Sequence, residues 1–431
     1  MRPQGSFVLV VVLALMFGAC ATGKKVTDSV KKIFRDDKPE KLETRRLSIF
    51  EYEDILLGAW AGKMIGASVG APYTNRFYGQ VMEEPMRSWR PELVENALVQ
   101  DDLCVPMTFL QALEEKGLSL TSAEAADYFG RIAWPLTHAH DAARRNIRAG
   151  IPPPDSGHPR YNPHANDLSF QTGADLFGLL CPGMPFTAIR LAETFGPMMS
   201  YGDGLYGGLF VAGMYAAAFF ENDRAALIEQ GLKGIPADSS YARLIRDVLE
   251  FYRTEPAQWR GCWQMLEDKW AQTDLCPQGY NKPFNIDAKL NGGYVVLGLL
   301  YGEGEFPKTL EITTRCGQQT GSNTATAAGL LGAMLGYSRI PRPFKMGIPV
   351  ISERPFQHTK YTFTTLTQTC KKMTEMIIRR YGGDVQRLGD REYYSVPVQS
   401  PPPPPPLEQF TESQLAGYQN EWSRLDQIQP D

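Results

Sequence analysis

The chain has 431 residues, with 44 Lys and Arg against 48 Asp and Glu and a formal net charge of −4. No basic excess or stripe appears, which excludes a nucleic-acid binder, and 43% hydrophobic with 11% aromatic residues excludes a disordered chain. The length suffices for one large domain or two to three average ones, with a core that needs no staples.

The N-terminus reads as an address. Arg2 precedes an apolar run over 7–17, too short to span a bilayer as a stable helix, and Gly18-Ala19-Cys20 follows. A basic start, a short apolar stretch and small residues describe a signal peptide. Small residues followed by cysteine also resemble a bacterial lipobox, which sets 1–19 as a lipoprotein signal and Cys20 as the lipidated residue. A plain secretory peptide with an incidental cysteine is the alternative. The expected location is the bacterial cell envelope, anchored to a membrane through Cys20. Residues 20–46 are polar and mixed in charge, as a tether would be; the alternative is a surface helix, because Val26, Val30 and Phe34 recur at helical spacing.

From 47 to 385, helical periodicity dominates and alternating strand patterns are scarce. Over 54–71, Gly58, Gly62, Gly66 and Gly70 fall four apart and share one helix face. Each glycine inside a helix costs about 1 kcal/mol relative to alanine, so four in register imply very close packing on another helix. A membrane hairpin competes, but Glu53, Asp54 and Lys63 interrupt it. Gln100-Asp101-Asp102 precedes an apolar helix over 105–116. Carboxylates there cap a helix and stabilise its first turn by about 0.5–1 kcal/mol each; alternatively, they ligate a hard cation. A helix over 123–134 follows.

Two polar stretches come next: His138-Ala139-His140-Asp141 with Arg144-Arg145-Asn146, and SGHPRYNPHAND over 156–167. They hold four of the five histidines. Fixed zinc-ligand spacing is absent. Irregular stretches of this kind line a polar ligand pocket or form a structured surface loop. Helices are expected at 173–180, 185–195, 207–220, 224–232, 241–252, 258–271, 291–300, 324–335 and 363–381. Between them, Tyr201 and Asp203 stand in a turn before the most apolar helix, and Asn285, Asp287, Lys289 and Asn291 form another polar segment. No GxGxxG follows a strand and no GxxxxGK[ST] occurs, so dinucleotide and P-loop readings fail. Residues 386–431 read as a Pro-rich tail in which Pro401–Pro406 favours polyproline II, a spacer or a ligand for an aromatic groove. The six cysteines after Cys20 lack any metal-binding pattern; buried thiols are the default, and Cys262 with Cys276 is the one pair worth checking as a disulfide.

Taken together, three segments resemble the ADP-ribosylglycohydrolase family: the opening helix D-x₃-G-x₃-G-x₃-G at Asp54, Gly58, Gly62 and Gly66; the pair Asp101-Asp102 before a helix; and the closing block LLYGEGEFPKTLEITTRCGQQTGSNTATAAGLLGAMLGYSRIP, 299–341. The QDDL start and the SGHPRYNPHAND stretch look like a subgroup of exported bacterial proteins. The resemblance implies an all-α orthogonal multi-helix bundle over 47–385 and hydrolysis of a glycosidic bond at an ADP-ribosyl group. It also implies two Mg²⁺ ions between the Asp pair and a late Asp-x-Asp motif. Here Gln319-Thr320-Gly321 replaces that motif, and Thr74 stands where the family usually carries a glutamate. One weakly held Mg²⁺ or none is therefore expected, on Asp101, Asp102 and the neutral oxygen of Gln319. Asp101 and Asp102 are the expected catalytic residues, since two carboxylates can also hydrolyse a glycoside without metal. His158, His164, Asp167, Tyr201, Asp203 and Asn323 are expected to contact a sugar-containing small molecule or glycan. The expected protein is an exported, membrane-anchored monomer that hydrolyses a glycosidic or N-glycosidic bond with an altered or single-metal centre. One alternative is an inactive relative that binds a glycan or nucleotide-sugar; another is an anchored structural protein whose tail recruits a partner.

Overall fold

The computed structural model describes residues 43–273, 275–408, 413–414, 416–418 and 420–422. The expected signal peptide, Cys20 and the tether up to residue 42 lie outside the described residues. Strand β1 (Thr44–Ser48) runs directly into the long helix α1 (Ile49–Gly70). After two 3₁₀ segments come α2 (Asp101–Lys116), α3 (Ser122–Gly130) and α4 (His138–Arg148). Next are α5 (Asp175–Leu180), α6 (Pro185–Phe195), α7 (Asp203–Ala217) and α8 (Arg224–Leu232), then α9 (Ser240–Thr254) and α10 (Trp259–Trp270). The last large elements are α11 (Ala288–Tyr301), α12 (Phe306–Arg315), α13 (Thr320–Leu335) and α14 (Phe363–Arg380), followed by β2 (Asp384–Leu388) and β3 (Arg391–Pro397). The class is all-α, as expected, with one small sheet added. Among the described residues no helix is long and apolar enough to cross a membrane.

The glycine register of α1 has the predicted cause. A Cβ at Gly58, Gly62, Gly66 or Gly70 would overlap the carbonyl oxygen of Gly332, Ala328, Thr324 or Thr320, in that order. The partners descend in fours as the glycines ascend, so α1 and α13 lie antiparallel, backbone on backbone. Every α13 residue from Thr320 to Met334 is buried. Burial all round also explains why α7, α11 and α13 are mostly small or apolar, their polar residues gathered in the first turns. Lys63 is buried inside α1 as well; its Nζ pairs with Asp175 at 2.5 Å and donates to the carbonyl of Thr172 at 2.7 Å.

Several boundaries differ from the expectation. β1 pairs antiparallel with β3, which pairs antiparallel with β2, giving the order β1-β3-β2. Leu47 faces Tyr394 across the first pair, and both are buried with Val396. Residues 44–46, expected as tether, and 386–397, expected as tail, thus belong to a sheet. Helix α2 starts four residues before the expected apolar run, α4 is helical where an irregular polar stretch was expected, and α12 was not foreseen as a separate helix.

The proline run is laid against the helices. Tyr206 Oη donates to the carbonyl of Pro406 at 3.1 Å and accepts from the amide of Glu408 at 2.8 Å. Upstream, Gln399 Oε1 accepts from the amide and hydroxyl of Thr187. Further on, Trp422 is buried and donates to the carbonyl of Pro159 at 2.7 Å. The six cysteines after Cys20 are all buried thiols, with Cys262 and Cys276 unbridged.

Candidate functional site

Gln100, in extended backbone, ends one segment and Asp101-Asp102 opens α2. Both carboxylates stand at the positive end of the helix dipole. Asp101 Oδ1 accepts from the amide of Asp102 at 3.1 Å, and Asp102 Oδ2 accepts from Ser322 Oγ at 2.7 Å. Ser322 lies in the first turn of α13, so the starts of α2 and α13 meet at Asp102. Desolvation by the surrounding walls, then the neighbouring charge of Asp101, pushes the Asp102 carboxyl up to about 6 against hydrogen bonding from Ser322 and the charge of Lys63. Desolvation also raises Asp101, restrained by backbone amides and by the charge of His138.

Across from the pair is the stretch where the resemblance implies two more carboxylates. Gln319 Nε2 donates to Asn75 Oδ1 at 2.9 Å, and the Gly321 amide donates to Thr74 Oγ1 at 2.9 Å. A Cβ at Gly321 would itself meet that hydroxyl. Neutral groups already bonded to one another occupy this wall. Two Mg²⁺ ions need a set of charged oxygen ligands on both sides; these residues do not fit a two-ion magnesium centre. Asn323 lies behind the same wall, 1% exposed, its Nδ2 bonded to Asn291 Oδ1 at 2.7 Å.

A second polar group adjoins the Asp pair. His138 opens α4 at φ +51°, a left-handed conformation rare for a side-chain-bearing residue. Its Nδ1 lies 3.1 Å from Oδ2 of the fully buried Asp167. His164 Nδ1 lies 2.9 Å from the same oxygen, and the two rings meet edge to face at 5.0 Å. Burial pushes the Asp167 carboxyl up, but hydrogen bonds and charge from both histidines outweigh it and hold it below its ordinary range. His140, one helix step from His138, is buried, and desolvation lowers it to about 4, so it is neutral at pH 7.

The backbone that carries His164 and Asp167 is clamped from three directions. Asn162 Nδ2 donates to the carbonyls of Ala139 and Met199. The amide of Leu168 donates to Ile286 and that of Ala288 to Asn166, which bridges Asp167 antiparallel to Asp287. The Tyr201 amide donates to Ala165. Asp203, first in α7, accepts from the amide of Tyr241 at 3.1 Å. Burial raises its carboxyl to about 6, the charge of Lys289 opposing and that of Asp287 adding. Lys289 is itself buried against Asp287 at 3.0 Å.

The structure therefore divides the expected site residues. Asp101, Asp102, His164 and Asp167 are brought together through His138. Asp203 joins Asp287 and Lys289 on the far side of the clamped segment. His158 and Tyr201 stack edge to face at 4.7 Å and meet the chain's own tail: Tyr201 donates to Glu408, and His158 lies against the Tyr418 ring at 5.7 Å. Burial lowers His158, and burial followed by Glu408 raises Tyr201. Sequence reasoning named His138 only within a polar stretch and missed Ser322 altogether. Histidine crowding was the available signal for the first; nothing in a serine three residues past Gln319 marks the second.

A family model described as ADP-ribosylglycohydrolase matches residues 51–375. A solved structure named "ADP-ribosylglycohydrolase-related protein complex" is similar to 76% of this chain and to 100% of its own, at 16% identity and a TM-score of 0.48. No curated protein matches.

Proposed function

This chain belongs to the ADP-ribosylglycohydrolase family, and from that premise we propose that it hydrolyses a glycosidic or N-glycosidic bond of a sugar-containing substrate, with Asp101 and Asp102 as its acid–base pair. The family supports a glycohydrolase-like function and a sugar-like or ADP-ribose substrate. The observation that carries the proposal is the Asp pair itself, set at the meeting of two helix starts with Asp102 raised to about 6. A carboxyl poised there carries a proton for part of the time near neutrality, as a general acid must. In the step proposed, Asp102 gives its proton to the leaving oxygen or nitrogen as the bond to the anomeric carbon breaks. A water attacks that carbon and passes its own proton to Asp101; one water is consumed and the pair is left ready to re-equilibrate. No metal enters this step.

The address completes the proposal: export, lipidation at Cys20 and a monomer at the cell envelope, supported by Arg2, the apolar run over 7–17 and Gly18-Ala19. An envelope position favours a glycan over intracellular ADP-ribosyl groups. Cys20→Ser is expected to move the protein from the membrane fraction to the soluble one.

A second reading, a binder without turnover, is favoured by the neutral wall of Thr74, Gln319 and Gly321. Calorimetry with ADP-ribose and with Mg²⁺, on wild type and on Asp101→Asn/Asp102→Asn, separates the two when run beside turnover assays on ADP-ribosylated substrates and a glycan library. Turnover abolished in the double variant supports the hydrolase. Tight binding with no turnover under any metal overturns it, and a Mg²⁺ heat lost in the double variant assigns a single ion to the pair.

A further inference from the structure

Two ring nitrogens converge on one buried carboxylate beside the Asp pair, and no role proposed so far uses them. One ring nitrogen each of His138 and His164 and a carboxylate oxygen of Asp167 all lie within 4.8 Å of one another. Two of the three separations are 2.9 and 3.1 Å. Ligands bonded at about 2.0 Å around a tetrahedral ion stand roughly 3.3 Å apart, so a small cation fits this spacing with little movement.

Hydrogen bonding alone leaves the cluster unfinished. Asp167 is fully buried, yet its Oδ1 has no hydrogen-bond partner among the described residues. His138 Nδ1 is also buried, and beyond its 3.1 Å approach to Asp167 Oδ2 no hydrogen bond satisfies it among the described residues. A buried polar atom without a partner costs about 1–3 kcal/mol. The structure nevertheless holds His138 at φ +51°, a conformation that aims its ring here. Access is open as well: the side chains of His138 and His164 keep 15% and 18% of their surface, although Asp167 has none.

The geometry points to a site for one divalent transition cation of the zinc type, ligated by His138, His164 and Asp167. Two imidazoles and a carboxylate select such ions over Mg²⁺, which prefers oxygen alone. Three protein ligands leave a position open for water, the arrangement of catalytic rather than structural zinc sites. The site would supply nitrogen ligands beside an Asp pair whose other neighbours, Thr74, Gln319 and Gly321, offer no carboxylate.

The test uses the full, untagged chain, stripped with a chelator and titrated with Zn²⁺ by calorimetry and elemental analysis, with Co²⁺ as an optical probe. One Zn²⁺ per chain is expected. His138→Asn, His164→Gln and Asp167→Asn should each weaken it by more than about 100-fold, beyond what loss of an outer partner costs. His158→Gln and His358→Gln, at the remaining non-helical histidines, should keep full stoichiometry. If Asp167→Asn fails to fold by circular dichroism, the two histidine variants decide. Asp101→Asn/Asp102→Asn should retain its Zn²⁺, so loss of turnover there and loss of metal here are read separately. No stoichiometric uptake of Zn²⁺, Co²⁺ or Mn²⁺ by wild type overturns the site. So does uptake that survives in His138→Asn/His164→Gln, or uptake lost in the Asp101/Asp102 double variant.

Discussion

Where α1 meets α13, Gly58, Gly62, Gly66 and Gly70 stand against Gly332, Ala328, Thr324 and Thr320, and the contact is filled by backbone. At 162–168 the chain also runs close to its neighbours, yet polar side chains do the fixing, with Asn162 bonded to Ala139 and Met199 and Asp167 between two histidines. The first contact tolerates no side chain added, and the second tolerates none removed. That difference separates scaffold from site: one places the start of α13 against Asp102, the other holds the groups that differ from an ordinary core.

The largest expected effect breaks the first contact. Gly62→Leu would drive a side chain into the Ala328 carbonyl, which is backbone and cannot rotate away. A loss of more than about 4 kcal/mol is expected, from overpacking well past the usual range. Denaturant titration against Gly117→Ala, a glycine whose Cβ would meet open space but whose φ is positive, checks it; a Gly62→Leu protein as stable as that control would refute the packing account. Next comes the buried charge beside it. Lys63→Met leaves Asp175 without its partner and should cost about 3–5 kcal/mol, whereas Lys63→Met/Asp175→Leu should recover much of the loss. A double variant no better than the single one would show that the pair contributes more than mutual neutralisation.

Breaking the second contact is expected to be milder and local. Asn162→Ala removes the donor shared by the carbonyls of Ala139 and Met199 and also frees the amide of His164, now bonded to Asn162 Oδ1 at 3.0 Å. A loss of about 2–3 kcal/mol follows from the desolvation of those groups. Hydrogen exchange should place it in 156–168 and leave α1 and α13 protected; uniform loss of protection would mean that the two regions fold as one unit.

These two regions were not equally legible in the sequence. Gly58 to Gly70 announce themselves by period, because a 3.6-residue repeat puts every fourth residue on one face, and Asp101-Asp102 by adjacency. The partners of Asp167 lie 29 and 3 residues before it, at His138 and His164, and no repeat connects them. Their meeting depends on a left-handed turn at His138 and on Ile286 and Ala288, more than 100 residues downstream. The sheet was hidden for a related reason: β1 spans five residues and its partner lies near 394, so neither carries a pattern long enough to read alone. The tail over His158 and Tyr201 was equally invisible, since a proline run fixes its own conformation and not the surface it meets. Asn323, expected to contact the substrate, is turned inward to Asn291 by helix phase.

The smallest effect sharpens the comparison at the point where the two regions meet. Asp102 touches α13 through Ser322 and lies in reach of Lys63 on α1. Its folded pKa, about 6, is above the ordinary carboxylate value of 3.8 because burial, then Asp101, disfavours the charge. A raised carboxyl binds its proton more tightly in the folded state than in the unfolded one. Its favourable contribution is therefore present below about pH 4 and is lost as pH rises through 6. Asparagine has no proton to lose. Asp102→Asn should match wild type near pH 4 and exceed it at pH 8 by on the order of 1–2 kcal/mol, after allowance for solvent at the half-buried edge of the group. Thermal unfolding across that range measures it. A difference that is flat with pH would mean that Asp102 titrates as an ordinary surface carboxylate, which would remove the proton that the acid–base reading assigns to it; a difference that opens between pH 4 and 6 would leave stability and catalysis opposed at one residue, as a site built into a close-packed scaffold requires.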